Sequence, residues 1–267
     1  MIGVAASNPQ PPLYYRSQST SPCSEQLTVF CDFDGPIIDV SNRYYTTYKL
    51  ALADTQAAYQ DRGIILPLHS LSKQQFWHMK QDRVPDVEIA MRSGLQGEQI
   101  DFFLGRVLDI VNQPALLGQD KLQPGASWAL ALLHSQGVRL VLVTLRCQLQ
   151  ATQILRNYGL TCLFSGIYGT SNHQAAYRNN VEVKQQLLEQ AITEQSTRPG
   201  RPCSAWMVGD TEADLLAAQA LSIPAIALTC GIRSNRYLKQ FHPNFIYSNL
   251  LATAHYLLKT NKVVSHY

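Results

Sequence analysis

Two acidic signatures stand far apart in the chain, Cys31-Asp32-Phe33-Asp34-Gly35 and Gly209-Asp210-Thr211-Glu212-Ala213-Asp214. Each follows an apolar run with the character of a buried strand, Leu27 to Phe30 before the first and Trp206, Met207 and Val208 before the second. In a parallel α/β sheet, strand C-termini lie along one edge, where ligands bind in a crevice. Two such strands side by side would crowd the carboxylates of Asp32, Asp34, Asp210 and Asp214 into one pocket. Their repulsion would be costly unless a cation neutralised it. Hard oxygen ligands, with an anionic substrate completing the shell, suit Mg²⁺. The pattern points to Mg²⁺-dependent phosphoryl transfer.

These residues need elements to hold them. Residues 1–26 are rich in Pro, Ser and Gln and read as a disordered extension. A strand over Leu27 to Asp32 follows. Tyr44, Tyr48, Leu52, Thr55 and Tyr59 then recur at helical spacing up to Gly63. Ser72-Lys73-Gln74-Gln75 is a capping box, Pro85 suits a first helical position, and Gly94 ends that helix. Ile100, Phe103, Leu104, Val107, Leu108 and Val111 form an amphipathic stripe. Residues 43–121 thus read as an all-helical insert of three or four helices.

After Pro124-Gly125 helices and strands alternate. Helices are expected over Trp128 to Ser135, Gln148 to Tyr158, Val181 to Glu194 and Glu212 to Ala220, with a last helix N-capped by Ser248. Strands are expected over Val138 to Val143 (ending at Thr144), Cys162 to Tyr168, Ala205 to Val208, Ile223 to Leu228 and Asn244 to Tyr247, with a loop over Ser196 to Pro202. The alternation implies an α/β fold, a Rossmann-like parallel sheet with right-handed crossovers. Its core would comprise residues 27–42 and 122–258, the helical cap 43–121, and a tail 259–267.

With 267 residues and 46% hydrophobic content, the chain can bury one or two sizeable cores. A formal charge of +3, without a Lys/Arg block, is too small and too dispersed to imply nucleic acid, and no nucleic-acid partner is expected. No apolar run has the length of a membrane span, and the first residues carry no stretch of signal-peptide type. The six cysteines form no zinc or C-x-x-C pattern, as befits reduced thiols in the cytoplasm. The Ser-rich, acid-poor N-terminus also fits an organellar transit peptide. Cys31 should face opposite to Asp32 and serve the core.

A D-x-D pair after a buried strand, joined to a later G-D-x-x-x-D after another, resembles the haloacid dehalogenase-like hydrolase superfamily. The likeness spans residue 27 to about 255 and includes the helical insert, which sits where the family's type-1 cap belongs, as in phosphoglycolate phosphatase-like members. It implies that Asp32 is the nucleophile that forms an aspartyl-phosphate. Asp34, two residues along the same side of the extended segment, would be general acid and base, with its backbone carbonyl on the metal. Thr144 and the amide of Leu145 would hold a phosphoryl oxygen. Lys184 would offset charge on Asp32 and the phosphoryl group, though Arg178 lies near and no proline follows the lysine. Asp210 would bind Mg²⁺ directly, and Asp214 would act through water or by orienting Lys184.

Pro36 and Leu145 depart from the common pattern without removing a reacting group. Asp39 is expected to cap the next helix. Arg146 could reach a substrate phosphate or carboxylate, or form a surface ion pair. The implied activity is hydrolysis of a small phosphate ester; a phosphomutase or other phosphotransferase, and a non-catalytic phosphate-binding protein, are the alternatives. Dehalogenation does not need Asp34. Candidates for substrate contacts in the cap are Tyr44, Tyr45, Tyr48, Lys73, His78, Lys80 and Arg83. The hinge is expected near residues 40–43 and 122–125, and the sequence leaves oligomeric state open.

Overall fold

A computed structural model describes residues 26–171, 175–195 and 204–264 of the chain, with side chains to residue 260. Residues 1–25 of the expected N-terminal extension and the whole of the expected 196–202 loop therefore lie outside the described residues.

The sheet has six strands, all parallel: β1 (Thr28–Cys31), β4 (Arg139–Cys147), β5 (Phe164–Thr170), β6 (Ala205–Gly209), β7 (Ala225–Leu228) and β8 (Phe245–Tyr247). Their order is β5-β4-β1-β6-β7-β8, so β1 and β6, the bearers of the two acidic signatures, are neighbours at its centre. β1 is buried at every position because helices cover both faces of a parallel sheet. Its alternating side chains divide between two cores: Val29 and Cys31 join one, Phe30 the other. Cys31 is thus a core thiol facing away from Asp32, and burial pushes it well above the ordinary thiol range.

Around the sheet lie α6 (Ala126–Ser135), α7 (Gln148–Asn157), α8 (Ala175–Arg178), α9 (Val181–Gln195), α10 (Glu212–Ala220), α11 (Asn235–Leu238) and α12 (Leu250–Val264). The insert consists of α1 (Ser41–Gln60), α2 (Lys73–Gln81), α3 (Asp86–Arg92), α4 (Glu98–Ile110) and α5 (Pro114–Leu117). It holds five helices, more than the expected three or four, because the single turn Pro114–Leu117 is too short to show a helical period. The Ser72 capping box of α2 forms as expected. Pro85 sits at the N-cap of α3, one position before the expected one. Asp39 accepts from Ser41 N–H at 2.8 Å, satisfying one free donor of α1.

Other departures are local. The second strand of the sheet in chain order, β4, does not end at Thr144; after an irregularity past Val143 it resumes and pairs Cys147 with Thr170. The last helix is capped by Asn249 and not by Ser248, since Asn249 Oδ1 accepts from Ala252 N–H at 2.9 Å. That helix runs to Val264, into the stretch expected as a tail. Between insert and sheet, two short strands pair antiparallel, β2 (Ile38–Asp39) and β3 (Lys121–Leu122). Both connections of the insert therefore leave the sheet side by side, where the hinge was expected.

Candidate active site

Register brings the acidic signatures together. Cys31 pairs with Val208 across β1 and β6, and Asp32 N–H donates to Val208 C=O at 2.9 Å. Asp32 and Asp210 thus emerge from adjacent strand ends. Asp32, Asp210 and Asp214 each offer a carboxylate oxygen to a group whose members lie within 4.8 Å of one another. Glycines make the approach possible: a Cβ at Gly35 or Gly231 would overlap the Asp210 carboxylate, and Gly35 has φ +104°.

Lys184 is buried and reaches into this cluster, 2.6 Å from Asp32 Oδ1 and 2.7 Å from Asp214 Oδ1. It stands in the first turn of α9, which Asn180 caps by accepting from Val183 N–H. Burial disfavours the ammonium charge, yet Asp214 and Asp32 hold Lys184 above its usual range. Burial, with further repulsion from Asp214 and Asp34, raises Asp32 to about 7 against the pull of Lys184. Asp210 is pushed well up by burial and by Asp32.

The residues present fit a divalent cation. Asp210 Oδ2 accepts from Ile232 N–H, while its buried Oδ1 has no hydrogen-bond partner among the described residues. An ionised oxygen left so would be expensive. Asp214 differs: its Oδ2 accepts from Asp210 N–H, Thr211 N–H and the Thr211 hydroxyl, and its Oδ1 faces Lys184. Asp214 is therefore placed to orient Lys184 and the Asp210 backbone. The Asp34 side chain is not in the cluster. Its Oδ1 lies 2.8 Å from Arg146 Nε and its Oδ2 3.3 Å from Arg43 NH2.

Thr144 Oγ1 accepts from Arg146 N–H at 3.1 Å, which leaves the hydroxyl hydrogen free to donate. Thr144, Leu145, Asp32, Asp34, Lys184 and Arg146 line one cleft of about 290 Å³. Arg146 is buried, with its guanidinium 5.4 Å from the Phe33 ring centroid, and is no surface pair. A second cleft of about 270 Å³ shares the walls Tyr44, Ala176, Asn179, Thr211 and Ile232 and adds Lys80, Arg83, Tyr177 and Arg233. Of the candidate contacts in the insert, Tyr44, Lys80 and Arg83 reach these clefts. Tyr48 instead packs in the core against Ser93, Tyr45 bonds Leu71 C=O, and Lys73 and His78 are exposed.

The insert lies down on the sheet edge. Arg83 and Arg233 share Glu212, each at 2.8 Å, and Ser234 N–H donates to Gln81 C=O. Lys80 pairs with Asp86 at 2.8 Å and sits 4.6 Å from the Tyr177 ring centroid; burial lowers its proton affinity. Arg233, Arg43 and Asp120 carried no motif. Contacts across 21 and 77 residues reveal them.

Comparison with known proteins agrees with this geometry. The family described as haloacid dehalogenase-like hydrolase matches residues 27–221. The chain is 27% identical over 241 residues to "Probable phosphatase IndB" of Dickeya dadantii (strain 3937), covering 87% of this chain and 95% of that protein. It is 24% identical to a phosphoglycolate phosphatase of Mesorhizobium japonicum, covering 85% and 92%. A solved hydrolase of the haloacid dehalogenase-like family from Streptococcus pneumoniae shares the fold, with a TM-score of 0.61 at 20% identity over 88% of this chain and 99% of that one.

Proposed function

Since the chain belongs to the haloacid dehalogenase-like hydrolase family and is a phosphatase, we propose that it hydrolyses a small phosphomonoester through an aspartyl-phosphate on Asp32. The observation that carries this reading is the Asp32 carboxylate, fixed by Lys184 at 2.6 Å beside Asp210 and Asp214.

Asp32, Asp210 and the Asp34 backbone carbonyl would hold Mg²⁺, which would supply charge compensation to the phosphoryl group. Lys184 keeps the Asp32 carboxylate oriented and adds positive charge beside the phosphoryl oxygens. The Thr144 hydroxyl and the Leu145 amide hold one of those oxygens. A carboxylate oxygen of Asp32 then forms a bond to phosphorus as the bond to the ester oxygen breaks. Asp34 gives that oxygen its proton, so the alcohol leaves. The resulting Asp34 carboxylate takes a proton from water, whose oxygen attacks the phosphoryl group and frees Asp32. Closure of the insert excludes bulk water meanwhile.

The alcohol portion fits the second cleft, between Tyr44 and the cations Lys80, Arg83 and Arg233. Three cations there share Asp86 and Glu212, which favours an ester whose alcohol end carries a negative group. The test is phosphate release from a panel of small phosphomonoesters, with Mg²⁺ or EDTA, for wild type and Asp32→Asn. Mg²⁺-dependent release that the substitution abolishes is expected. Rearranged ester without phosphate release would make the protein a mutase, and inertness of folded protein toward every ester would overturn the reading.

A further inference from the structure

Beneath the catalytic cleft four charged side chains close a ring. Arg146 joins Asp34 Oδ1 at 2.8 Å to Asp120 Oδ2 at 2.6 Å, and Arg43 joins Asp120 Oδ1 at 2.9 Å to Asp34 Oδ2 at 3.3 Å. Exposure is 1% for Arg43, 3% for Arg146, 5% for Asp34 and 7% for Asp120. Two positive and two negative charges balance, and each carboxylate oxygen meets one guanidinium. Asp120 does not line the cleft, whereas Arg146 does, and Arg146 NH1 is buried without a hydrogen-bond partner among the described residues.

We propose that Asp120 is a positioning residue for proton transfer at Asp34, acting by holding Arg146 and Arg43 so that they aim the Asp34 carboxyl group. The inference rests on the reading of Asp34 as acid and base. A lone arginine has many rotamers, but one clamped through two of its nitrogens presents a fixed fork. Asp120 takes Nε of Arg43 and NH2 of Arg146, leaving the opposite member of each fork for Asp34. Arg43 NH2 donates to Asp34 Oδ2 at 3.3 Å and Arg146 Nε lies 2.8 Å from Oδ1, so the ring holds the carboxyl group from both sides. The proton that Asp34 gives the ester oxygen, as its bond to phosphorus breaks and the Asp32 oxygen bonds to phosphorus, is then delivered from a fixed position. The ring also joins three places. Arg43 lies in the first turn of α1, Asp120 directly before β3, and Arg146 on β4 after Thr144. It closes only when both connections of the insert meet the sheet, so the acid is aimed only when the insert is docked. Arg43 extends the link to α4 through Val111 C=O and Asn112 Oδ1.

A ring that only fastened the insert would affect all substrates alike. The experiment therefore compares leaving groups. An aryl ester such as p-nitrophenyl phosphate departs as a stable phenolate and needs little help from an acid, whereas an alkyl phosphate needs its proton. With Mg²⁺ present, kcat/KM is measured on both esters for wild type, Asp34→Asn and Asp120→Asn. Asp120→Asn is expected to raise the aryl-to-alkyl ratio by ~10-fold, in the direction that Asp34→Asn sets, as befits partial loss of general acid catalysis. The ratio does not depend on how much of the preparation is folded. If Asp120→Asn yields too little active protein to read, Arg43→Lys, which keeps the charge but not the fork, takes its place and the same rise in the ratio is expected. An unchanged ratio overturns the proposal while leaving the phosphatase reading intact. Failure of wild type on both esters sinks both.

Discussion

Lys184 carries the charge balance of the site. Three carboxylates face one ammonium, a deficit that a divalent cation matches. Replacing Lys184 by Met leaves Asp32 and Asp214 buried against one another and removes a donor beside the phosphoryl group. We expect kcat/KM to fall by ~10²-fold or more, by analogy with loss of one oxyanion donor, with the circular dichroism spectrum retained; activity within a few-fold of wild type would remove Lys184 from the machinery. Gly231 tests the proposed ligand role of Asp210 from the other side. In Gly231→Ala the new methyl must displace the Asp210 carboxylate, so the Mg²⁺ concentration for half-maximal activity should rise, while unchanged Mg²⁺ dependence would exclude Asp210 as a ligand. The gathering of Asp32, Asp210 and Asp214 was legible because each follows a buried strand at fixed spacing, whereas the turn of the Asp34 side chain out of that group toward Arg146 and Arg43 was not. Arg43 and Asp120 were not, since their meaning lies in contacts 77 residues apart and no local pattern marks either one.

Elements explain why the clefts are shaped as they are. α2 delivers Lys80, and the turn after it delivers Arg83, whose φ of +59° is rare for a side-chain-bearing residue. Lys80→Met or Arg83→Ala should raise KM for the preferred ester with kcat nearly unchanged, because these groups would bind the alcohol end equally in ground and transition states. Equal loss in kcat would place them on the reacting atoms instead. The α12 cap gives a test of local structure. Asn249→Ala should cost about 1 kcal/mol of stability, measured by denaturant unfolding, whereas Ser248→Ala, exposed and outside the cap, should cost little. Sequence pattern located α10 to the residue and α9 within one, because long periods and capping signals are local properties. It missed β2, β3, α8 and α11, which are two to four residues long and owe their form to neighbours. It also stopped β4 early, because an irregularity past Val143 precedes the pairing of Cys147 with Thr170 on β5.

For the molecule as a whole, the buried acidic centre makes stability depend on pH and metal together. Burial raises Asp32 to about 7 and pushes Asp210 up as well, so the folded, metal-free protein keeps protons that the unfolded chain releases near ~3.9. Between those values the unfolded state binds fewer protons, and stability must fall as pH rises. Asp120, also raised by burial, acts in the same sense. Glu212 opposes it only in acid: burial would raise its carboxyl, but Arg233 holds it low, and that contribution is complete above ~4.3. The window from pH 5 to 7.5 therefore reads the acidic centre together with Asp120, clear of Glu212. In EDTA the Tm should drop by a few °C across it, about what 1 to 2 kcal/mol moves in a chain of this size. Mg²⁺ takes ionised ligands, so it should raise the Tm more at pH 7.5 than at pH 5 and narrow the drop. A thermal melt series at both pH values, with Mg²⁺ or EDTA, checks this. A Tm that climbs with pH in EDTA, or a Mg²⁺ shift equal at both, would mean that the three carboxylates are compensated by the chain's own cations and that the centre is built for something other than a metal.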